Sequence, residues 1–170
     1  MKFLILITLS TSLWAGDFKE NAIEILKPIK KDFMGELKSG LKEGPYNAIE
    51  VCHMKAPHII EHNKSDKFEI GRTSDKIRNK DNAPKKWMLP ILAQYKDSTL
   101  ENPKSGSVHT VENDKKVYVE PIYIKGLCLN CHGNLNRGSV AKKINKTYPD
   151  DQARGYKLGE FRGLFYVKEK

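Results

Sequence analysis

The chain has little of what marks a membrane protein. One apolar stretch, Phe3 to Leu13, stands out among its 170 residues, and it is too short to span a bilayer. Lys2 before it and Leu13-Trp14-Ala15 at its end instead indicate a secretory signal. No cysteine follows to anchor a lipid, and an uncleaved N-terminal anchor is the alternative. We therefore expect a signal peptide at 1–15 and a soluble periplasmic domain at 16–170.

The motifs of several common chemistries are also missing. The sequence contains no G-x-S-x-G, no H-E-x-x-H and no glycine-rich phosphate loop, so we do not predict an enzyme. The formal net charge is +9, but the lysines are scattered and form no stripe with aromatic residues. Export also argues against nucleic acid as a partner. We expect a basic, solvated surface that steers acidic redox partners.

Cysteine is scarce, and its spacing is informative. The three cysteines are Cys52, Cys128 and Cys131, and the last two form a C-x-x-C-H motif with His132. This motif is the attachment site of c-type haem: both thiols form thioethers, and the histidine becomes the proximal iron ligand. In bacteria this attachment takes place outside the cytoplasm, so the motif and the signal support each other. The sequence predicts one haem c, bound through Cys128 and Cys131.

Cys52 is then left without a disulfide partner in an oxidising compartment. It could be inertly buried, pair with another molecule, or bind the iron. His53, Met54 and His58 are alternative distal ligands, although Cys52 and His53 point about 100° apart on a helix and do not face one iron together. The unpaired thiol favours Cys52. The rival interpretation is a zinc site formed by the three cysteines and one histidine.

The hydrophobic pattern predicts helices first and then a small antiparallel sheet, which is an α+β fold. The first helix spans Phe18 to Leu41, where Pro28 marks a kink or a break, and the second carries Cys52 and is interrupted or ended at Ala56-Pro57. Further helices are predicted at 84–95 and 139–145, strands at 67–74, 107–112, 116–124 and 160–167, and a hairpin turn at Asn113-Asp114.

Four groups of residues also resemble a known family. They are Ala48–Cys52 with Ala56-Pro57, Arg72–Pro84, Cys128–Gly133, and Tyr148–Asp150 with Gly155–Gly163. In this order they resemble a family of single-haem c-type bacterial proteins with a PAS-like fold, long catalogued as a domain of unknown function. The chain departs from many relatives after Pro84, where it reads Lys85-Lys86 in place of acidic residues.

The resemblance implies a PAS-like α+β fold and an iron held by a cysteine and a histidine, which here are Cys52 and His132. Arg72, Lys76 and Arg78 are candidates to bind the haem propionates, and we favour Arg72 and Arg78. The alternative is that one arginine only fixes its loop through backbone carbonyls.

A thiolate ligand favours ferric iron and a low potential. Together with the PAS-like fold, this leads us to expect a redox or small-gas sensor that passes its signal to a periplasmic redox partner or a membrane sensor protein. A low-potential electron carrier is the alternative.

Overall fold

The computed structural model describes residues 18–135 and 137–170, and the predicted signal peptide lies outside them. Within these ranges no helix combines the length and the apolar character needed to cross a membrane. The elements are α1 (Phe18–Lys42), α2 (Pro45–His62), β1 (Phe68–Thr73), α3 (Leu89–Tyr95), β2 (Ser107–Val111), β3 (Lys115–Tyr123), α4 (Leu129–His132), α5 (Ser139–Thr147) and β4 (Phe161–Glu169).

The four strands form one antiparallel sheet in the order β1-β4-β3-β2. The predicted hairpin between β2 and β3 is confirmed. Its turn contains Asn113 and Asp114, whose φ angles are 59° and 54°. Asparagine and aspartate tolerate this left-handed conformation better than other residues with a side chain. The predicted α+β class is confirmed, and β4, the last strand in the chain, lies at the centre of the sheet.

Both faces of the sheet are covered. On one face the N-terminal helices pack through Leu26 and Ile29 against Tyr118 of β3. On the other face α3 and the turn before it pack against Val117 and Val119. Alternate residues of β3 thus serve opposite layers, as the two-residue period of a strand requires.

Two prolines lie inside helices rather than at their ends. α1 continues through Pro28, and α2 continues through Pro57, so the expectation that the second helix ends or is interrupted there is wrong. A proline removes one backbone hydrogen bond and disfavours a helix interior. Packing compensates for this loss. Leu26 and Ile29 are buried close to Pro28, and Ile59 is buried close to Pro57.

Leu26 anchors α1 on the sheet and is 0% exposed. We expect Leu26→Ala to lower the free energy of unfolding by roughly 2–5 kcal/mol, because a buried side chain is lost and a cavity remains. Denaturant titration measures this change. Lys38→Ala, an exposed position on the same helix, is the control and should change stability by less than about 0.5 kcal/mol. An equal loss in both variants would contradict this assignment of the core.

Candidate functional site

A cavity of about 920 Å³ lies between the N-terminal helices, the sheet and the loop that carries the C-x-x-C-H motif. Its volume is near the top of the range of about 300–1,000 Å³ that is typical of small-molecule and cofactor sites. The predicted site residues all line this one cavity: Cys52 from α2, Arg72 from β1, Arg78 from the loop after β1, and Cys128, Cys131 and His132 from the motif.

The local helix explains how the motif faces the cavity. A 3₁₀ turn, Gly126–Cys128, runs directly into α4. Positions three and four apart lie on the same side of a helical turn, so Cys131 and His132 follow Cys128 onto one face. The two motif thiols are not in a disulfide. The motif can therefore present two thiols and one imidazole to the same group.

His132 is held by the chain segment that precedes β4. Its Nδ1 lies 2.8 Å from the carbonyl oxygen of Ala153, and because a carbonyl only accepts, Nδ1 carries the proton. The N–H of Tyr156 donates to the carbonyl of His132 at 3.0 Å. Burial, with the positive charges of Arg78 and Arg162, lowers the pKa of His132 to about 3. The ring is thus neutral near pH 7 and leaves Nε2 free, as in a metal-ligating histidine.

The structure separates the four donors that the sequence offers on α2. Cys52 lines the cavity, whereas His53, Met54 and His58 do not. The Nδ1 of His53 contacts the hydroxyl of Tyr148 at 3.2 Å, and Met54 is 51% exposed. Cys52 is an exposed residue that is not in a disulfide, yet the protein around its thiol raises the pKa by desolvation, and the nearby arginines offset this only in part.

Arg78 fixes the motif loop from inside the protein. Its Nε and Nη2 donate to Asp151 at 2.9 and 3.1 Å. Nη2 also donates to the carbonyl oxygens of Cys131 at 2.6 Å and of Ala153 at 3.0 Å, so its two hydrogens are shared among three acceptors. Arg78 thus fixes a loop through backbone carbonyls, which is the alternative role predicted from the sequence for one arginine. Contact between Arg78 and a propionate stays a prediction.

Asp151 is the partner that the sequence does not reveal. Its side chain is fully buried and also accepts hydrogen bonds from Arg154 at 2.6 Å and from the N–H of Ala153 at 3.0 Å. Burial by itself raises the pKa of Asp151, but the bonds from Arg78 and Arg154 outweigh it and hold the pKa below its ordinary value. Arg78 and Asp151 lie 73 positions apart, and no spacing rule connects them.

Arg72 offers the cavity a cation that no carboxylate among the described residues neutralises. Its guanidinium lies 4.1 Å from the centre of the Phe33 ring, and within the described part of the chain it has no hydrogen-bond or ion-pair partner. Burial lowers the pKa of Arg72 to about 10, so it remains charged at neutral pH. This arrangement fits an anionic group of a cofactor. Lys76 is different, since it is exposed and donates to the carbonyl of Arg154 at 3.3 Å.

Met34 of α1 also lines the cavity, although it was not among the ligands predicted from the sequence. The helical pattern places it next to Phe33, but only the packing of α1 shows that it faces this space. Met34, and not Met54, is thus a methionine that lines the cavity.

The zinc interpretation requires four donors around one ion. Across residues 18–135 and 137–170, no group of three or more His, Cys, Asp or Glu side chains is arranged to hold a metal. A haem iron needs far less from the protein, because the macrocycle supplies four ligands and the chain at most two. The donors in the cavity therefore fit a haem iron, which takes at most two ligands from the chain, better than a zinc ion, which takes four.

The fold and the cavity define an α+β domain with space for a cofactor between its helices and its sheet. The family model described as Tll0287-like (Tll0287) matches residues 16–169, so the chain belongs to this family. A solved structure, titled as the crystal structure of the cyanobacterial heme-protein Tll0287, is similar, with a TM-score of 0.62 and 22% identity over 85% of this chain and 89% of that one. No curated protein matches the chain. The predicted family and its PAS-like fold are confirmed.

Removing the ion pair between Arg78 and Asp151 tests how much it contributes to the stability of the domain. We expect Asp151→Asn to lower the free energy of unfolding by about 3–5 kcal/mol, because Arg78 then keeps a buried charge without its counter-ion. Asp150→Asn is the matched control. That neighbouring carboxylate pairs with Lys80 at 2.6 Å, but the two side chains are 67% and 80% exposed, so its loss should cost less than about 1 kcal/mol.

The pH dependence provides a second measurement on the same variants. Because the pKa of Asp151 is lowered by folding, its stabilisation is complete above the ordinary carboxyl pKa of about 4 and is lost as the pH falls further. Denaturation midpoints recorded from pH 7 down to pH 3 should fall less steeply for Asp151→Asn than for the wild type. Equal slopes would show that this carboxylate does not carry the effect.

Proposed function

We propose that this chain is a periplasmic c-type haem protein, with one haem bound through Cys128 and Cys131 and its iron held by His132 and Cys52. The observation that carries the proposal is that a single cavity is lined by all four side chains, three from one helical turn and the fourth from α2. The similarity to a heme-protein supports haem as the cofactor, and the C-x-x-C-H motif supports covalent attachment.

Each residue of the cavity would make a different contact with the haem. The thiols of Cys128 and Cys131 approach from one side of a helical turn, and His132 presents its free Nε2. Arg72, which has no ion-pair partner among the described residues, offers a cation to an acidic substituent, and Phe33 lines the wall beside it. When bound, haem supplies a one-electron couple and an iron centre at which small gases bind.

We favour a redox or small-gas sensor over a simple carrier. Cys52 and His132 belong to different elements, α2 and α4, so loss of Cys52 as a ligand would not require His132 to move. Burial raises the pKa of the Cys52 thiol, so a Cys52 that did not bind the iron would be a neutral thiol near pH 7. Loss of the Cys52 ligand would change α2, and a periplasmic redox partner or a membrane sensor protein would bind the two states of α2 differently.

A low-potential electron carrier is the second candidate. Burial raises the pKa of the Cys52 thiol, but the positive charges of Arg72 and Arg78 act against this effect, and their attraction for a thiolate supports a ligand that is retained in both redox states. In this case the partner is a docking redox protein, and the site stays closed to added ligands.

Optical spectra of protein matured with c-haem assembly machinery test the proposed ligands. We expect covalent haem in the wild type, and we expect Cys52→Ala to lose the thiolate features of the ferric spectrum. His53→Ala is the matched control, because His53 follows Cys52 on α2 but lies outside the cavity.

Two results would contradict the assignment. A wild type exported without a Soret band would exclude haem. An unchanged six-coordinate spectrum in Cys52→Ala would exclude Cys52 as the ligand and make Met34→Leu the next variant.

Carbon monoxide separates the two candidate functions. If Cys52 leaves when the iron is reduced, carbon monoxide should bind rapidly to the ferrous wild type, as stopped-flow absorbance would show. Ferrous Cys52→Ala is the open-site control and should bind it at least as fast. A wild type that stays closed while this variant binds would favour the electron carrier.

A further inference from the structure

We propose that Arg78 and Asp151 are positioning residues for the axial histidine and that their buried ion pair tunes the reduction potential of the haem. The inference rests on the proposed function, since His132 must be an iron ligand. It assigns to the ion pair an electronic role in addition to the mechanical one described above.

Two donors converge on one acceptor behind the histidine. The carbonyl oxygen of Ala153 accepts the Nδ1 proton of His132 at 2.8 Å and a proton from Nη2 of Arg78 at 3.0 Å. A strong hydrogen bond from Nδ1 makes a ligating imidazole more basic, so that it donates more electron density to the metal. Arg78 competes for the same oxygen and weakens that bond. It therefore limits donation by His132 and favours the reduced iron.

The charge of Arg78 acts in the same direction through space. Its Nη2 also contacts the carbonyl oxygen of Cys131 at 2.6 Å, directly before His132 in the chain. The side chain is only 13% exposed, so solvent and salt screen it little. A cation at this position stabilises the form of the site that carries one more electron.

Asp151 opposes this effect from the other end of the pair. Its carboxylate is completely buried and neutralises Arg78 through two hydrogen bonds. The two residues thus support the same loop but influence the iron with opposite signs. A purely mechanical role predicts that loss of either residue disturbs His132 in a similar way, whereas a tuning role predicts opposite shifts.

Spectroelectrochemical titration of the haem-loaded protein distinguishes these two roles. We expect Arg78→Gln to lower the potential and Asp151→Asn to raise it, each by about tenfold in the one-electron equilibrium constant, which corresponds to about 59 mV. The neighbouring pair supplies matched controls. Lys80→Gln and Asp150→Asn neutralise charges that are 80% and 67% exposed and should leave the potential nearly unchanged.

Arg78→Lys separates charge from geometry, because lysine keeps the cation but loses the planar fork. Its potential should stay closer to that of the wild type than that of Arg78→Gln, while its stability falls. The iron–histidine stretching frequency, measured by resonance Raman spectroscopy, should rise in Arg78→Gln as donation by His132 increases. Should Arg78→Gln not fold, the upward shift of Asp151→Asn still tests the sign.

Haem-loaded variants whose potentials shift in the same direction, or not at all, would overturn this inference alone. A wild type without covalent haem would overturn the proposed function and this inference together. The haem spectrum of the wild type therefore tells the two failures apart.

Discussion

The buried pair of Arg78 and Asp151 joins three segments that are distant in sequence: the loop after β1, the C-x-x-C-H loop and the segment before β4. Taking two charges out of water is costly unless their hydrogen-bonding groups are satisfied. Here each carboxylate oxygen of Asp151 accepts two hydrogen bonds, and one nitrogen of Arg78 reaches two carbonyls. The orientation of His132, and with it one wall of the cavity, depends on this arrangement.

The parts of the site that depend on local geometry were predictable. Cys128, Cys131 and His132 share a face because positions three and four apart always do so on a helical turn. Cys52 required a different argument, since nothing local places it near the motif. The leftover thiol pointed to it, and the packing of α2 now distinguishes it from His53, which lies one residue away but outside the cavity.

Long-range pairing limits what the sequence can reveal. Asp150 and Asp151 look equivalent in the sequence, yet one is exposed and the other is buried against Arg78. That difference depends on the path of a loop that no residue pattern describes. Pro28 and Pro57 show the same limit for secondary structure, because local preference argues against a helix and buried neighbours override it. The strands were predicted to within a few residues, since alternation is a local signal.

The position of β4 imposes an order on how the domain is completed. A chain is made from its N-terminus, so Phe161–Glu169 arrives after every other strand. Yet β4 pairs with both β1 and β3, and neither strand is fully paired until it is in place. The C-x-x-C-H motif also precedes β4 in the chain. All strand pairing of β1 therefore depends on β4, a non-local contact that cannot form until the chain is complete to that strand.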